Sequence, residues 1–256
     1  MKEEKLKSLL LLSLLSFNLY AQTVVSTSPA LSEIISILGF EKNIIARTPY
    51  CLDAKKAPKV GTALELDIEK VLSLKPDLVV LQENTESKTS INLKKLNIKY
   101  KSLKLVSLDD IYQATSELAS IFGVDGRDVL NKYKTSGQSK YKKGLVMLGG
   151  IPGKSVMIAG TETFYSQIIE QLGMKNLSPS KNWPNLQAEK IRSLIDKDTV
   201  ILEVVTKKEA LWSQSNWQSF CPKCHVVPLV SKRAAYPGLK VIEIMSNVLS
   251  KGSGHD

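Results

Sequence analysis

Five consecutive residues late in the chain, 221–225, carry the most recognisable chemistry. They read Cys-Pro-Lys-Cys-His, which is the C-x-x-C-H sequence at which haem is attached to c-type cytochromes. The same spacing allows Cys221 and Cys224 to pair with each other, which leaves Cys51 as an odd thiol. No methionine or second histidine is placed as a partner axial ligand, and a zinc site would need four ligands. We expect a Cys221–Cys224 disulfide, with free thiols and attached haem as the alternatives.

The other polar residues form no catalytic motif. Residues 149–155 resemble a phosphate-binding loop, but the glycine spacing is wrong and a predicted strand follows where a helix is required. The chain has only two histidines, His225 and His255, and His255 is the residue before the last. We therefore expect no enzyme, no resident cofactor and no metal site.

The first 21 residues predict export. Lysines at positions 2, 5 and 7 precede a leucine-rich run over residues 9–15, and Ala21 provides a small residue for cleavage. The run is too short to span a membrane, which takes about 20 apolar residues. We expect a signal peptide that is cleaved near Ala21 and a protein released into the periplasm, where disulfides form.

The composition is that of an ordinary globular protein. Of 256 residues, 43% are hydrophobic and 23% are charged, which excludes collagen, coiled coil and general disorder. Loss of the signal peptide removes three lysines and two glutamates and leaves 32 basic and 23 acidic residues, a net charge of +9. Nucleic acid is the usual partner of such a charge, but export and the even spread of the lysines argue against it. We expect a solvated basic surface and a monomer.

Strands and helices alternate over residues 22–124, which indicates an α/β lobe with a parallel sheet. Apolar or β-rich runs predict strands at residues 24–27, 44–46, 78–81 and 103–106. Helical spacing of apolar residues, with capping residues before them, predicts helices after Pro29, after Asp67, over residues 88–96 and from Asp109.

The alternation restarts at residue 143 and continues to residue 256, after a polar helical stretch over residues 125–142. In this second half we predict strands at residues 145–148, 156–159, 200–205 and 226–229, and helices near 164–172, 187–195 and 241–249. A polar helix in mid-chain suits a connector between two lobes. The predicted fold class is α/β, with two three-layer lobes of mostly parallel sheets joined by one long connecting helix. A ligand cleft is expected between the lobes.

Several segments resemble the periplasmic solute-binding proteins of ABC importers for metal chelates such as vitamin B12, ferric siderophores and haem. These segments are residues 24–34, Lys59 to Gly61 followed by 67–79, and the looser match of 182–184 followed by 188–191. The resemblance covers about residues 23–250. It implies two lobes joined by a rigid helix, a largely preformed cleft, and an ABC permease with its ATPase as partners.

Four residues are candidates for contact with the chelate. Tyr50 follows the second predicted strand, at the carboxyl end where open α/β sheets bind ligands, and it matches a family aromatic that touches the chelate. Trp183 matches a second-lobe aromatic with the same role. Arg233 and Tyr236 follow the predicted strand at 226–229, and the planar fork of Arg233 suits an anionic group. Where vitamin B12 binders of the family can carry a tryptophan, this chain has Ala63.

Two glutamates, Glu69 and Glu189, match the family residues that dock onto arginines of the permease, one in each lobe. Each opens a predicted helix, where it also favours the positive end of the helix dipole. The sequence therefore predicts a periplasmic binding protein that delivers a corrinoid, a ferric siderophore or haem to an ABC importer. The alternative is an exported c-type haem or thiol-redox protein that uses Cys221, Cys224 and His225.

Overall fold

The computed structural model describes residues 22–250 except 63, 84, 136, 151–154, 206–216 and 218–219. The predicted signal peptide, residues 1–21, lies outside the described residues. Within those residues, no helix has both the length and the apolar character needed to cross a membrane.

A four-stranded sheet forms the first lobe, and all its strands are parallel. The strand order is β2-β1-β3-β4, with β1 at Val24–Ser26, β2 at Ile44–Arg47, β3 at Leu78–Gln82 and β4 at Tyr100–Leu103. The first four residues of β3 are all apolar and all buried, as expected of a parallel strand that is covered on both faces. Because the strands are parallel, their carboxyl ends lie at one edge of the sheet.

The helices of the first lobe begin within one residue of the predicted positions. They are α1 (Pro29–Ile37), α2 (Ile68–Leu74), α3 (Lys88–Lys95) and α4 (Leu108–Ile121). The Asp67 side chain accepts a hydrogen bond of 3.0 Å from the backbone N–H of Lys70 and caps α2. Ser28 caps α1 and is followed by Pro29, whose ring suits the first helical position.

The second lobe contains a six-stranded mixed sheet. Its strand order is β10-β9-β5-β6-β8, and β7 pairs with β5 off this path. The strands are β5 (Lys143–Gly150), β6 (Ser155–Ile158), β7 (Lys175–Asn176), β8 (Asn185–Gln187), β9 (Thr199–Val205) and β10 (His225–Val230). The helices are α6 (Phe164–Gln171), α7 (Ala188–Leu194) and α8 (Leu239–Ser250). The α/β class is therefore as predicted, with the second sheet mixed.

The connecting helix predicted over residues 125–142 is wrong in extent. Among the described residues of this range, helical hydrogen bonding covers only α5 (Arg127–Lys132). The residues that follow include Thr135, Gly137 and Ser139, which are poor helix formers, and Gly137 takes a φ of +93°. The Ser139 backbone N–H donates to the Leu172 carbonyl, 2.9 Å away, at the end of α6. The polar composition marked a connector, but its turn-forming residues end the helix early.

One apolar core is shared by the two lobes. It contains helical side chains from both halves of the chain, among them Leu31, Ile34 and Ile35 of α1, Leu108 and Ile111 of α4, Phe164, Ile168 and Ile169 of α6, and Leu239, Ile242 and Met245 of α8. Two smaller clusters cover the outer faces of the two sheets. The lobes are thus packed on each other through helices, in addition to the covalent connection.

Candidate ligand-binding site

The carboxyl ends of the two sheets meet across the lobes. Asp53 follows β2 in the first lobe, and Arg233 follows β10 in the second, within a 3₁₀ turn at Lys232–Ala235. The Arg233 guanidinium donates from Nη2 to Asp53 Oδ1 at 2.7 Å and from Nη1 to Asp53 Oδ2 at 3.0 Å. This bidentate pair fixes the geometry of the contact. We call the surface formed by the two sets of carboxyl ends the cleft edge.

Glu33 completes a polar cluster at this contact. It lies on α1 with its side chain only 1% exposed, and it accepts from Arg233 Nη1 at 2.7 Å and from the Tyr236 hydroxyl at 2.9 Å. Its other oxygen accepts from the Lys240 backbone N–H at 2.9 Å. We refer to Glu33, Asp53, Arg233 and Tyr236 as the interlobe ion cluster.

Burial and charge shift the pKa values of this cluster. Desolvation raises the pKa of the Glu33 carboxyl, although its hydrogen bonds from Lys240, Arg233 and Tyr236 act in the opposite direction. The side-chain hydrogen bond to Asp53 is the main cause that raises the pKa of Arg233, so this group stays charged. Desolvation, followed by the nearby Glu33 charge, raises the pKa of Tyr236, which stays a neutral donor.

The structure brings Arg233 and Tyr236 together, 3.3 Å apart, as the sequence predicted from their common strand end. It also shows what Arg233 contacts in this arrangement. Both arms of the fork already bind the carboxylates of the ion cluster, so in this arrangement the fork is not available to an anionic group of a ligand. Arg233 instead links the second lobe to Glu33 and Asp53 of the first.

Tyr50 lies in the turn after β2 and is 68% exposed at the cleft edge. The turn is closed by the Cys51 backbone N–H, which donates to the Thr48 carbonyl at 3.3 Å. The Cys51 thiol is buried beside the Thr48 hydroxyl, 3.3 Å away, so it packs inward while Tyr50 remains accessible. An exposed ring on a fixed turn is suited to stacking against a flat apolar ligand.

Arg47 holds the loop that carries Tyr50 and Asp53. Its guanidinium is buried and donates to four backbone carbonyls, those of Thr48, Cys51, Ala54 and Lys55, at 2.9–3.2 Å. An arginine at the end of a strand is commonly a solvated surface group. A single buried cation that satisfies four carbonyls instead organises the whole 48–55 loop.

Trp183 forms the aromatic part of the second-lobe side. Its ring is 38% exposed and lies edge-on to Tyr165, with ring centroids 5.9 Å apart, and 6.3 Å from Phe164. The Tyr165 hydroxyl donates to the Ala234 carbonyl, next to Arg233. A continuous series of contacts therefore runs from Trp183 through Tyr165 and the ion cluster to the loop of Tyr50.

Gly160 permits this placement of Trp183. A side chain at position 160 would overlap the Asn182 carbonyl oxygen and the Lys181 backbone. The 180–182 segment is also held by backbone hydrogen bonds of 2.9 Å from Thr161 to Ser180 and from Glu162 to Lys181. Close approach of two backbones at a glycine thus sets the position of the Trp183 ring.

Glu69 and Glu189 lie at the same edge, one in each lobe. Both are exposed in the first turn of a helix, α2 and α7 respectively. Helix α7 follows β8, which runs in the same direction as β5 because each is antiparallel to β6. Helix α2 follows a segment that bridges in parallel to Arg47, at the end of β2. Glu69 and Glu189 therefore both lie near the carboxyl ends of strands.

The cysteine motif lies at the opposite edge of the second sheet. Cys221 and Cys224 are joined by a disulfide, the pairing that the sequence favoured, directly before the first residue of β10. The length of β10 places them about 20 Å from Arg233. With both sulfurs in the disulfide, neither thiol is available for haem attachment. The described residues contain no cluster of three or more ligands that would suit a metal ion.

A depression of about 1000 Å³ lies beside the amino end of β2. Its lining mixes apolar residues with Glu41, Lys42, Lys55 and Lys56. It is broad and open, and it contains none of the four predicted ligand residues.

The chain is similar to known proteins over most of its length. Residues 24–219 match the family model described as periplasmic binding protein. An uncharacterized ABC transporter substrate-binding lipoprotein of Bacillus subtilis is 25% identical over 76% of this chain and 67% of its own length. A vitamin B12-binding protein of Salmonella paratyphi A is 25% identical over 94% of this chain and 95% of its own. The crystal structure of the periplasmic haem-binding protein HutB of Vibrio cholerae has a TM-score of 0.72 at 19% identity, covering 90% of this chain and 100% of that one.

Proposed function

The chain belongs to the periplasmic binding protein family, and from this we propose that it captures a metal chelate at the cleft edge and delivers it to an ABC importer. Members of this family and the relatives above are solute-binding proteins, so the predicted absence of a catalytic role holds. The observation that supports the proposal best is the pair of exposed rings: Tyr50 lies in the loop that also carries Asp53, and Trp183 contacts Tyr165, whose hydroxyl donates to the Ala234 carbonyl beside Arg233.

The relatives suggest two kinds of cargo for this chain. One relative is named for vitamin B12 and the structural neighbour for haem. We propose a corrinoid or an iron chelate, bound between the two rings with polar groups of the chelate on the cleft edge. Both kinds are bulky, rigid and partly apolar, and such ligands suit a preformed site with aromatic walls and few polar groups.

Titration of the exported form against cyanocobalamin, haemin and ferric siderophores tests this function. Binding should quench Trp183 fluorescence saturably, with a Kd in the micromolar range or tighter. Trp183→Phe should lose most of the quenching, whereas Trp217→Phe should retain it, because Trp217 is buried under the second sheet. A folded protein that responds to none of these chelates would contradict the proposal.

We propose that residues 1–21 direct export to the periplasm and that the protein docks there as a monomer on a permease. Glu69 and Glu189 are the proposed contacts, because carboxylates pair well with arginines and set the register of a complex. Their positions at the cleft edge would bring the bound chelate to the permease.

Reversal of both docking charges should separate binding from uptake. We expect Glu69→Lys with Glu189→Lys to bind the chelate within about twofold of the unaltered protein, and to reduce importer-dependent uptake at least tenfold, since repulsion replaces attraction at both lobes. Asp128→Lys with Asp198→Lys is a matched control for charge, because both side chains are exposed and Asp198 precedes β9, at the opposite end of that strand. Unchanged uptake by the first pair would show that these carboxylates do not dock.

A further inference from the structure

A depression of about 350 Å³ lies at the amino end of the second sheet. Strands β10, β9 and β5 are neighbours there and run parallel, so their first residues lie side by side. The depression is lined by the residues at or just before these strand starts, which are Lys140, Tyr141, Lys142, Lys197, Asp198 and His225. We call it the basic depression.

The segments that line the basic depression are held in place by the fold. The Tyr141 backbone N–H donates to the Ser139 hydroxyl at 3.0 Å, and the Asp198 backbone N–H donates to the Asp196 carboxylate at 3.0 Å. The Cys224 sulfur, within the disulfide, lies 3.6 Å from the Asp196 carbonyl oxygen. The backbone of the depression is therefore preformed.

Two rings lie among the lysines. The centroids of the Tyr141 and His225 rings are 5.4 Å apart, and the Lys140 ammonium group lies 5.1 Å from the centroid of Tyr141. His225 is exposed, and its imidazole offers at least one N–H to a ligand.

Positive charge predominates in the basic depression. None of its lysines, at positions 140, 142 and 197, forms an ion pair within the described part of the chain, and Asp198 is the one carboxylate of the lining. Nearby, Lys143 and Asp196 pair with each other and contribute no net charge. The exposed Lys175 and Lys223 add two positive charges at these strand ends, against Glu170 near the end of α6.

The remaining residues of the second half, which the structure does not describe, carry no excess of acidic side chains. Residues 151–154 contain one lysine, and residues 206–216 contain two lysines and one glutamate. Residues 136 and 218–219 are uncharged, and residues 251–256 contain one lysine and one aspartate.

From this arrangement we infer that the basic depression binds a multivalent anion of the phosphate class. A phosphate group offers several strong acceptor oxygens, and each lysine ammonium group binds such oxygens as a point charge with three donors. The site lies at the opposite end of β10 from Arg233, about 20 Å away. Anion binding there is therefore additional to capture of a chelate at the cleft edge.

Phosphate groups are carried by soluble compounds and by lipid headgroups. A concave site suits a soluble compound. If the cleft edge docks on a permease as proposed, the basic depression also lies at the strand ends remote from that membrane. The anion is therefore a soluble phosphate compound.

Calorimetric titration of the exported form with inorganic pyrophosphate tests the inference. At low ionic strength we expect one saturable site with a Kd on the order of 1 mM or tighter. Lys142→Gln with Lys197→Gln should weaken binding at least tenfold. Lys94→Gln with Lys95→Gln removes the same charge from exposed positions at the end of α3 and should change binding less than twofold. No binding, or equal weakening by both pairs, would overturn the inference and leave the proposed function intact.

His225 gives a local readout of the same site. The chain has only two histidines, so His225→Gln assigns the imidazole signals in an NMR spectrum. Pyrophosphate should shift the His225 signals, and cyanocobalamin should leave them in place. Bound pyrophosphate without a shift of these signals would place the anion elsewhere and overturn the inference.

Cosedimentation with vesicles distinguishes the two sources of phosphate. At physiological salt we expect vesicles of phosphatidylglycerol and phosphatidylcholine to retain no more protein than phosphatidylcholine alone. Retention that requires Lys142 and Lys197, without binding of pyrophosphate, would identify a lipid headgroup as the ligand and overturn the assignment to a soluble compound.

Discussion

Replacing Arg233 by alanine should lower the free energy of unfolding by about 3 kcal/mol, as expected when one partner of a buried ion pair is removed. The loss should be large because Glu33 is almost completely buried, so that without the guanidinium it must either stay charged in a desolvated position or take up a proton. The value lies at the low end of the range for such losses because the Tyr236 hydroxyl and the Lys240 backbone N–H still donate to Glu33. Urea unfolding followed by circular dichroism measures the change.

The pH dependence of this loss identifies its cause. Without Arg233, burial should raise the pKa of Glu33 further, so that the folded variant holds a proton at a pH at which the unfolded chain releases it. Stability is then lost as the pH rises from the ordinary pKa of a glutamate through the raised one. The deficit should therefore be larger at pH 7 than at pH 4. Arg127→Ala, which breaks an exposed pair, should change the free energy of unfolding little at either pH. An equal, pH-independent loss in both variants would refute this role.

Substitution of Gly160 by alanine should weaken cyanocobalamin binding at least tenfold. The added methyl group would overlap the backbone of Lys181 and Asn182, which must shift and take Trp183 with them. The accompanying loss of stability should be about 1–3 kcal/mol, as for other overpacked sites. Fluorescence titration and urea unfolding measure the two effects on the same samples.

Gly123→Ala separates general destabilisation from displacement of the ring. Gly123 has a φ of +70° after α4 and has open space where a side chain would lie. Its substitution should cost about 1 kcal/mol through backbone strain and leave ligand binding unchanged. If Gly160→Ala binds cyanocobalamin as tightly as Gly123→Ala does, the close approach at position 160 does not position Trp183 for the ligand.

Local sequence signals predicted the elements well. The apolar run before Gln82 predicted β3, and Asp67 and Pro76 bracket α2 as the sequence indicated. These elements are determined by neighbours in the chain, through capping and apolar periodicity. The 125–142 segment shows the limit of such local signals. Its low apolar content indicates a connector, but a polar helix and a segment rich in turns have the same low apolar content.

The sequence did not predict which residues the site residues contact. Position and residue type marked Arg233 and Tyr236, but the carboxylates that bind Arg233 lie 180 and 200 residues earlier. The sequence contains one indication of the contact with Glu33. This charged residue lies on the apolar face of a helix, between Leu31 and Ile34. A buried carboxylate at such a position requires a partner of opposite charge. Only the three-dimensional structure identifies that partner as Arg233.

The separation between Glu33 and Arg233 has a consequence for the order in which the molecule folds. During synthesis or passage across a membrane the chain emerges from its amino end, so α1 is available long before α8 and the 3₁₀ turn that carries Arg233. Contacts between such distant residues form late, because a long loop must be closed first. Until residues 232–250 arrive, Glu33 lacks the donors from Arg233, Tyr236 and Lys240, and the part of α1 that packs on α8 stays uncovered. This incomplete state is the one in which the protein is most exposed to aggregation and proteolysis.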